Sequence, residues 1–249
     1  MTMFDVSGRV ACVTGASSGL GRAAATALAA HGTRVVGVAR REEQLHDWHT
    51  NSPGETAIVA ADLGNRSKLA DIATAVARPF GPPDILINAA GINTRQPADD
   101  VTEDGWNITL KLNLSVPFFL AKALVPAMKE KRWGRIINFA SLQSRRAFPG
   151  GIAYGASKGG VEQMTRAMAE AWSSSGIMCN ALGPGFFPTE LTGPVFSNAE
   201  LSNKLAEQTC IGRNGELRDL EGPLLFFCSD ASSYVTGQLL FVDGGFTAK

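Results

Sequence analysis

The stretch RVACVTGASSGLGRAAATALAAHGTRVVGVA, residues 9–39, contains two short apolar runs separated by a glycine-rich loop and an alanine-rich segment. The runs at 9–14 and 34–39 are rich in Val, as is typical of strands that are buried on both faces of a sheet. The segment near 19–31 has a helical pattern and can connect two parallel strands in a crossover. The order strand, loop, helix, strand therefore predicts a βαβ unit.

The same alternation continues along the rest of the chain. Further apolar runs lie at 56–61, 84–90, 134–140, 176–182 and 238–244, with helical patterns near 66–78, 103–130, 152–174 and 216–229. We therefore predict an α/β fold, a Rossmann-type doubly wound parallel sheet of about seven strands with helices on both faces. No linker, repeat or low-complexity segment divides the chain, so we expect one domain over residues 1–249.

The charge balance excludes several classes of partner. The 249 residues include 23 Lys and Arg against 23 Asp and Glu, so the net charge is zero. A protein with no global basic field is not expected to bind nucleic acid or an anionic membrane surface. The N-terminal residues lack a basic segment followed by an apolar core, and no run of 18 apolar residues occurs. These features favour a cytoplasmic protein.

The cysteines and histidines do not form a recognisable metal or disulfide pattern. The four cysteines are scattered without C-x-x-C spacing, which makes a disulfide framework or a zinc cluster improbable. His46 and His49 lie three residues apart and could share one helix face, but arginines and no cysteines surround them. We interpret them as solvated surface residues and expect no metal.

The glycine-rich loop TGASSGLG, residues 14–21, follows the first predicted strand directly and precedes a helix. Glycines allow the sharp turn out of the strand, a close approach of the backbone to a pyrophosphate, and tight packing of helix on strand. The free N–H groups of the helix N-terminus favour phosphate. The spacing is G-x-x-x-G-x-G and differs from the common G-x-G-x-x-G. The residues expected around the phosphates are Gly15, Ser17, Ser18, Gly19, Leu20 and Gly21.

The ends of the next three strands add candidates for the rest of the nucleotide site. Where NAD-binding sites usually place an acidic residue, the second strand ends in VARR, with Arg40 and Arg41. An arginine fork suits a 2′-phosphate, so we favour NADP, with NAD possible. The alternative is two ordinary surface arginines. After the third and fourth strands come Asp62, Leu63, Asn88, Ala89 and Gly91. Asp62 could cap the next turn, reach an adenine amino group, or do both.

A further set of motifs carries a resemblance to a known family. TGASSGLG, NAAG (88–91), Asn113, Ser141, YGASK (154–158) and PG (184–185) stand in the order and spacing of the short-chain dehydrogenase/reductase family, over nearly the whole chain. The resemblance implies a dinucleotide-binding catalytic domain, a nicotinamide cofactor and a catalytic tetrad. That tetrad falls on Asn113, Ser141, Tyr154 and Lys158.

The chemistry of YGASK supports that assignment. Reduction of a ketone needs a hydride on carbon and a proton on oxygen, and oxidation of an alcohol needs the reverse. A free tyrosine titrates near pH 10 and is therefore a poor base at neutral pH. Lys158 lies four residues after Tyr154, on the same helix face, and its charge favours the phenolate. Ser141 follows a strand and can hydrogen-bond the substrate oxygen. Asn113 lies inside a helix, and the family implies that it distorts that helix and holds a water in a proton relay to Lys158.

The residues after the sixth strand resemble the nicotinamide-side loop of the family. The resemblance places Pro184, Gly185, Phe187 and Thr189 at the cofactor, where backbone groups and a hydroxyl would bind the carboxamide. The chain from about 186 to 212 is expected to form a mobile lid over the substrate.

The substrate side of the site is expected to be polar. Arg95, Ser141, Gln143 and Tyr154 are the candidate substrate contacts, and Arg145 and Arg146 either join them or point to solvent. An arginine can clamp a carboxylate, which favours a hydroxylated acid over an alkyl ketone.

The segments SLQS (141–144), PGFFPTELT (184–192) and TGQLLFVDGG (236–245) look like those of gluconate 5-dehydrogenases and related deoxy-ketogluconate dehydrogenases. This resemblance implies an oxidoreductase for a sugar acid or polyol. A 3-oxoacyl-thioester reductase or another carbonyl reductase is the alternative, and a non-catalytic nucleotide sensor is a remote one. The family also implies a homotetramer, although apolar runs such as FFL (118–120) could equally serve the core.

Overall fold

A single parallel sheet forms the centre of the molecule in the computed structural model, which describes residues 3–249. Its strands are β1 (Val10–Thr14), β2 (Arg34–Ala39), β3 (Thr56–Ala60), β4 (Ile85–Asn88), β5 (Gly134–Phe139), β6 (Ile177–Pro184) and β7 (Leu239–Val242). Their spatial order is β3-β2-β1-β4-β5-β6-β7, and every neighbouring pair is parallel. The predicted doubly wound sheet of seven strands is confirmed.

Helices cover both faces of this sheet, as the alternating pattern predicted. They are α1 (Gly19–Ala30), α2 (Glu42–Asn51), α3 (Leu69–Ala77), α4 (Glu103–Leu110), α5 (Val116–Lys131), α6 (Ile152–Trp172), α7 (Gly193–Phe196), α8 (Ala199–Glu207) and α9 (Glu221–Cys228). Leu28, Trp48 and Leu224 bring α1, α2 and α9 into one apolar core. Leu120 and Met168 belong to a second core, which α3, α5 and α6 form on the other face. Burial of both sheet faces explains the continuous apolar runs of the strands.

The helical run Glu103–Lys131 has the length and apolar character of a membrane-spanning helix, judged by composition alone. In the fold, however, Leu120, Ala121 and Leu124 of this run are buried in the core. A core helix of a globular domain meets the same criteria, and 44% of the most apolar window of this run is buried. Packing against the sheet therefore accounts for the buried, inner side of this run.

The strand order changes direction between β1 and β4, and this position determines where a ligand can bind. From β1 the chain proceeds outward to β2 and β3, and from β4 it proceeds the other way to β7. The Thr14 hydroxyl accepts hydrogen bonds from the backbone N–H groups of Ala89 and Ala90, each at 3.1 Å. These bonds hold the ends of β1 and β4 together. A crevice opens at such a switch point, beyond the carboxyl ends of the strands.

Candidate active site

A cavity of about 850 Å³ lies beyond the carboxyl ends of the strands, at the switch point. Nearly all of the residues predicted for the cofactor, the substrate and catalysis line it. They are Gly15, Ser17, Ser18, Gly19, Leu20, Gly21, Arg40, Arg41, Asp62, Leu63, Ala89, Gly91, Arg95, Ser141, Gln143, Tyr154, Lys158, Pro184, Gly185, Phe187 and Thr189. Asn88 and Asn113 are the two exceptions. Residues distant in the sequence are therefore brought together in one place.

The glycine-rich loop leaves one end of this cavity open to a phosphate. Gly15 adopts φ +74°, in the left-handed region that favours glycine, and turns the chain out of β1. A Cβ atom on Gly21 would overlap the carbonyl oxygen of Gly15, so only glycine lets α1 pack so closely on the loop. Ser18 precedes α1 in an extended conformation, and its side chain makes no capping hydrogen bond. The first N–H groups of the helix thus remain available to an anion, which fits a dinucleotide.

The two arginines after β2 differ in their surroundings. Arg40 is exposed and lines the cavity. Arg41 donates from Nη2 to the hydroxyls of Ser18 at 2.6 Å and Ser17 at 3.2 Å, and from Nη1 to the carboxylate of Glu190 at 3.0 Å. Arg41 therefore connects the glycine-rich loop to the segment after β6. This contact with Glu190 was not predicted.

Asp62 stabilises the turn that follows β3. Its Oδ1 atom accepts a hydrogen bond from the N–H of Gly64 at 3.0 Å, which is an Asx-type turn. The capping role proposed from the sequence is thus present. Asp62 also lines the cavity, together with Leu63.

Asn88 does not line the cavity, contrary to the prediction from NAAG. Its side chain is buried within the sheet and donates to Oδ1 of Asn138 on β5 at 2.9 Å. The alternation of side chains along a strand accounts for the difference. Asn88 is the last residue of β4 and pairs in register with Asn138 on β5, so the two side chains project from the same face of the sheet. The residues just after it, Ala89 and Gly91, are the ones that face the cavity.

Tyr154 and Lys158 lie in the first two turns of α6, beside Ser141. The Lys158 ammonium is 5.6 Å from the centre of the Tyr154 ring and donates to the carbonyl oxygen of Phe139 at 2.6 Å. Burial lowers the pKa of Lys158 to about 8. Desolvation raises the pKa of Tyr154, while a hydrogen bond to Ser141 and the charge of Arg95 oppose that shift. The phenol is therefore protonated at neutral pH in the free protein.

Asn113 lies in a π-turn, Lys111–Ser115, that interrupts the helical run between α4 and α5. Its carboxamide oxygen accepts from the N–H of Ile92 at 2.9 Å, and its NH₂ group donates to the carbonyl of Ile92 at 2.8 Å. It also donates to the Ser157 hydroxyl on α6 at 3.1 Å. Asn113 is 1% exposed and does not line the cavity. Its hydrogen bonds therefore link the loop after β4 to α6 without exposing the amide to the cavity.

Gly91 lies next to both Asn113 and Lys158. A Cβ atom at this position would be 3.2 Å from Oδ1 of Asn113 and 3.8 Å from Nζ of Lys158. The absence of a side chain therefore leaves a small space between the amide and the ammonium group.

Arg145 and Arg146 point away from the cavity, which decides between the two alternatives left open for them. Arg145 forms an ion pair with Glu162 on α6, at 2.7 Å. Glu162 is 7% exposed and also pairs with Arg166 at 2.9 Å. Arg146 donates to the backbone carbonyl of Lys249 at 3.2 Å. A nearly buried carboxylate needs compensating cations, so Glu162 holds Arg145 at the surface.

Arg95 is the arginine that lines the substrate side of the cavity. It adopts φ +52°, an unusual conformation for a residue with a side chain, and its backbone N–H bonds to the side chain of Asn93 at 3.0 Å. Its guanidinium group donates to the carbonyl oxygen of Leu191. Arg95 therefore contacts the residue adjacent to Glu190.

An apolar group of residues also lines the substrate side of the cavity, and it was not predicted from the sequence. It consists of Leu142, Phe148, Phe186, Leu191, Val195, Leu201 and Leu205. Phe148 and Phe186 pack edge to face with ring centres 5.9 Å apart. The two adjacent Phe residues of GPGFFPT were a sequence signal for an apolar lining, but the direction of their side chains depends on the turn that follows β6. The cavity thus has one polar wall and one apolar wall.

The 186–212 segment, which was predicted to form a lid, contains a capped 3₁₀ turn and two short helices. Thr189 and Thr192 form a reciprocal capping box around the 3₁₀ turn Glu190–Thr192, which leads into α7. The Asn198 side chain caps α8 by accepting from the N–H of Leu201 at 3.0 Å. The segment therefore contains its own side-chain caps, which set where its helical turns begin.

The histidines and cysteines lie apart from the cavity. His46 and His49 are exposed on α2, as predicted, and His49 contacts the Thr56 hydroxyl at 2.6 Å. Three of the cysteines are buried and Cys210 is exposed. Within residues 3–249, no group of three or more His, Cys, Asp or Glu side chains is arranged to hold a metal ion.

Comparison with known proteins places the whole chain in one family. A family model described as enoyl-(acyl carrier protein) reductase matches residues 15–247. The gluconate 5-dehydrogenase of Gluconobacter oxydans is 37% identical over 250 residues, which are 99% of this chain and 98% of that protein. The 2-dehydro-3-deoxy-D-gluconate 5-dehydrogenase of Dickeya dadantii is 34% identical over 100% of this chain and 99% of its own.

A solved structure agrees with these relatives. The crystal structure of a gluconate 5-dehydrogenase from Burkholderia cenocepacia, in complex with NADP and tartrate, superposes with a TM-score of 0.91 at 34% identity. The match covers 99% of this chain and 98% of that one. Fold, motif order and full-length similarity agree, and the chain belongs to the short-chain dehydrogenase/reductase family.

Proposed function

We propose that this protein is an NADP(H)-dependent oxidoreductase that interconverts a secondary alcohol and a ketone, with a sugar acid or polyol as its substrate. The observation that carries the proposal is the group formed by Tyr154, Ser141 and Lys158 in the wall of a cavity that also includes the open N-terminus of α1. Relatives named as gluconate and deoxygluconate dehydrogenases, and a solved relative with bound NADP, support both the substrate class and the cofactor.

The cavity has the features that a nicotinamide dinucleotide requires. The glycine-rich loop would hold the pyrophosphate at the N-terminus of α1, and Arg40 and Arg41 would bind the 2′-phosphate. Asp62 and Leu63 would border the adenine, and Ala89, Gly91, Pro184, Gly185, Phe187 and Thr189 would surround the ribose and carboxamide. When bound, the cofactor supplies or accepts the hydride at the carbon centre.

Tyr154 would transfer the proton at the substrate oxygen. In ketone reduction the protonated phenol donates to the developing alkoxide, and in alcohol oxidation the phenolate accepts a proton. Ser141 would hydrogen-bond the same oxygen as charge develops on it. The Lys158 ammonium, which predominates below about pH 8, favours the phenolate by proximity. Because desolvation raises the pKa of Tyr154, that support matters most for oxidation.

Lys158 and Asn113 would connect Tyr154 to solvent. Lys158 would also donate to the nicotinamide ribose. The space beside Gly91 borders both the Asn113 oxygen and the Lys158 ammonium, and it is where we place the relay water. Asn113 also positions the loop after β4 through its two bonds to Ile92.

Arg95 and Gln143 would bind the polar end of the substrate. A guanidinium group can hold a carboxylate through two hydrogen bonds, which suits a sugar acid. The apolar wall that includes Phe148 and Phe186 supports the second candidate, a 3-oxoacyl-thioester or other carbonyl reductase, because such a wall accommodates an alkyl chain.

The assembly and cellular context form part of the same proposal. We infer a single catalytic domain over 1–249, with the 186–212 segment covering the substrate. We also infer a cytoplasmic homotetramer that has no nucleic-acid or membrane partner. The exposed sides of the run 103–131 and of α6 would pair between subunits, and the residues from 238 onward would form a second contact. Light scattering of the purified protein would give the subunit number.

A panel of sugar acids, polyols and 3-oxoacyl thioesters, assayed with NADP(H) and NAD(H), tests the proposal directly. We expect turnover of at least one sugar acid or polyol. The variant Tyr154→Phe removes only the hydroxyl, and its turnover should fall at least about a hundredfold while cofactor binding survives. Retained activity in this variant would contradict the proton-transfer role. Cofactor binding without turnover of any panel member would favour the nucleotide sensor.

A further inference from the structure

Glu190 places a carboxylate at the arginine that the proposed cofactor needs for its 2′-phosphate. It is the first residue of the 3₁₀ turn after β6, and it contacts Arg41 across 149 residues of sequence. The Arg41 Nη1 to Glu190 carboxylate distance is 3.0 Å, and the Ser18 hydroxyl donates to the same carboxylate at 3.1 Å.

These contacts use both ends of the Arg41 fork. Nη1 is bonded to Glu190, while Nη2 is bonded to Ser17 and Ser18. The hydrogen bond from Arg41 lowers the pKa of Glu190, and the Ser18 hydroxyl adds to this effect, so the carboxylate is ionised at neutral pH. An anion that approaches Arg41 therefore meets a guanidinium group that is already paired with a negative charge.

The two nicotinamide dinucleotides differ in how they respond to this arrangement. A 2′-phosphate must displace Glu190 or share Arg41 with it, and like charges that share one site repel each other. A ribose with a free 2′-hydroxyl carries no charge there and leaves the Arg41–Glu190 pair intact. Arg40, which is exposed and lines the cavity, remains able to bind the phosphate.

We propose that Glu190 is a cofactor-specificity residue: its carboxylate competes with the 2′-phosphate for Arg41 and so reduces the preference for NADP over NAD. This inference rests on the proposed function, because it needs a dinucleotide in the cavity. Arg40 and Arg41 would favour NADP, whereas the neighbouring Glu190 would limit that preference.

The test uses nucleotide fragments that carry the two kinds of ribose. Adenosine 2′,5′-bisphosphate and 5′-AMP are titrated into the protein by calorimetry at low ionic strength, and full-length NADP and NAD follow. In Glu190→Gln the side-chain length is kept and the charge is removed. We expect adenosine 2′,5′-bisphosphate and NADP to bind about threefold to tenfold more tightly, whereas 5′-AMP and NAD change by less than twofold.

A matched variant controls for the loss of one negative charge. Glu200→Gln alters an exposed glutamate in the first turn of α8 that forms no ion pair with any part of residues 3–249. It should leave the binding ratio of the two fragments unchanged. In a protein that already carries Arg41→Gln, the additional substitution Glu190→Gln should change the binding ratio of the two fragments only slightly, because the shared arginine is absent. The gain in Glu190→Gln should also shrink at high salt, as screening weakens exposed charge pairs.

The outcomes separate this inference from the proposed function. If the wild-type protein binds neither fragment nor either dinucleotide, the cofactor site itself is wrong. If it binds them and Glu190→Gln leaves the ratio unchanged, Glu190 has no part in specificity and this inference is overturned. A gain of equal size for both fragments would also overturn it, because that would indicate a general opening of the cavity.

Discussion

Lys158 is a buried cation. Its burial lowers the stability of the folded state, but the proposed chemistry requires its charge. It is 5% exposed, and its pKa is lowered from 10.5 to about 8 because burial disfavours the charged form. Below about pH 8 the ammonium is charged in both the folded and unfolded chain, and the folded state bears the whole penalty. As the pH rises from about 8 to 10.5, the folded chain loses this proton before the unfolded chain does, so stability rises.

Replacing Lys158 with Met should therefore stabilise the protein and abolish its activity. The depressed pKa corresponds to a penalty on the order of 3 kcal/mol, and loss of the hydrogen bond to Phe139 offsets about 1 kcal/mol of the gain. Urea unfolding at pH 7 should show a variant that is more stable by about 2 kcal/mol. This difference should disappear between about pH 9 and 10 and reverse to about 1 kcal/mol toward pH 10.5, where only the lost hydrogen bond remains. Lys129→Met, at an exposed position on α5, should show neither effect. A Lys158→Met variant that is less stable at pH 7 would contradict this account.

Arg40 is the residue at which cofactor preference should be easiest to reverse. Arg40→Asp converts the exposed cation after β2 into the acidic residue typical of NAD sites. We expect the ratio of kcat/KM for NADP to that for NAD to fall by at least about tenfold, because a carboxylate repels a 2′-phosphate and accepts from ribose hydroxyls. Arg78→Asp, an exposed arginine at the end of α3, serves as the charge-reversal control. An unchanged ratio in Arg40→Asp would show that Arg40 does not face the phosphate.

The sequence was sufficient to predict residues that directly follow a strand, and insufficient for residues whose partners are remote. Arg40, Ser141 and Gly91 line the cavity because the carboxyl ends of parallel strands share one edge. Arg145 could not be placed, since its direction depends on Glu162, and Glu190 was missed because its contact with Arg41 spans 149 residues. A pairing of that kind leaves no local pattern in the chain.

At the scale of elements, the π-turn Lys111–Ser115 adapts a core helix to the proposed active site. An α-helix is regular, and the extra residue in a π-turn shifts the side chains that follow it. Here the turn directs Asn113 toward the backbone of Ile92 and toward Ser157. The helix thereby joins the loop after β4 to the helix that bears Tyr154 and Lys158.

Asn113→Ala should weaken both the fold and the activity. It leaves the partly buried N–H and carbonyl of Ile92 without their partners, at a cost of about 1–3 kcal/mol. We expect a lower midpoint in urea unfolding and a reduced kcat. Asn107→Ala, at an exposed position on α4 in the same helical run, is the matched control and should change little. Wild-type stability in Asn113→Ala would mean that water replaces the amide without cost.

Strands and long helices were predictable because their periodicity extends over many residues, while the 186–212 segment was not. The apolar runs at 34–39 and 134–140 agree closely with β2 and β5. In the 186–212 segment, α7 spans only Gly193–Phe196 and α8 only Ala199–Glu207. Thr189 caps the 3₁₀ turn that precedes α7, and Asn198 caps α8. Short helices have little periodicity of their own, so the sequence did not reveal α7 and α8.

At the scale of the whole molecule, the sheet collects distant residues and the switch point decides where they meet. The cavity includes residues that follow each of the first six strands, from Gly15 after β1 to Thr189 after β6. β7 lies at the edge, and its Phe241 packs against the apolar cluster that includes Leu142 and Val195 of the cavity wall. The prediction of a doubly wound sheet therefore also located the cavity. It could not show that one of the cavity walls is apolar.

The contact of Arg95 with Leu191 has a thermodynamic consequence when it is taken together with Arg41. Arg95 holds the carbonyl of Leu191, and Arg41 holds the adjacent Glu190. A substrate carboxylate bound by Arg95 and a 2′-phosphate bound by Arg41 would each displace the same short turn, at Glu190 and Leu191. Displacement of the turn by one ligand would therefore lower the free-energy cost of binding the other. Such heterotropic coupling is reciprocal. A saturating sugar-acid substrate should tighten NADP binding by the same factor by which NADP tightens binding of that substrate, and fully independent binding would show that the two arginines release the turn separately.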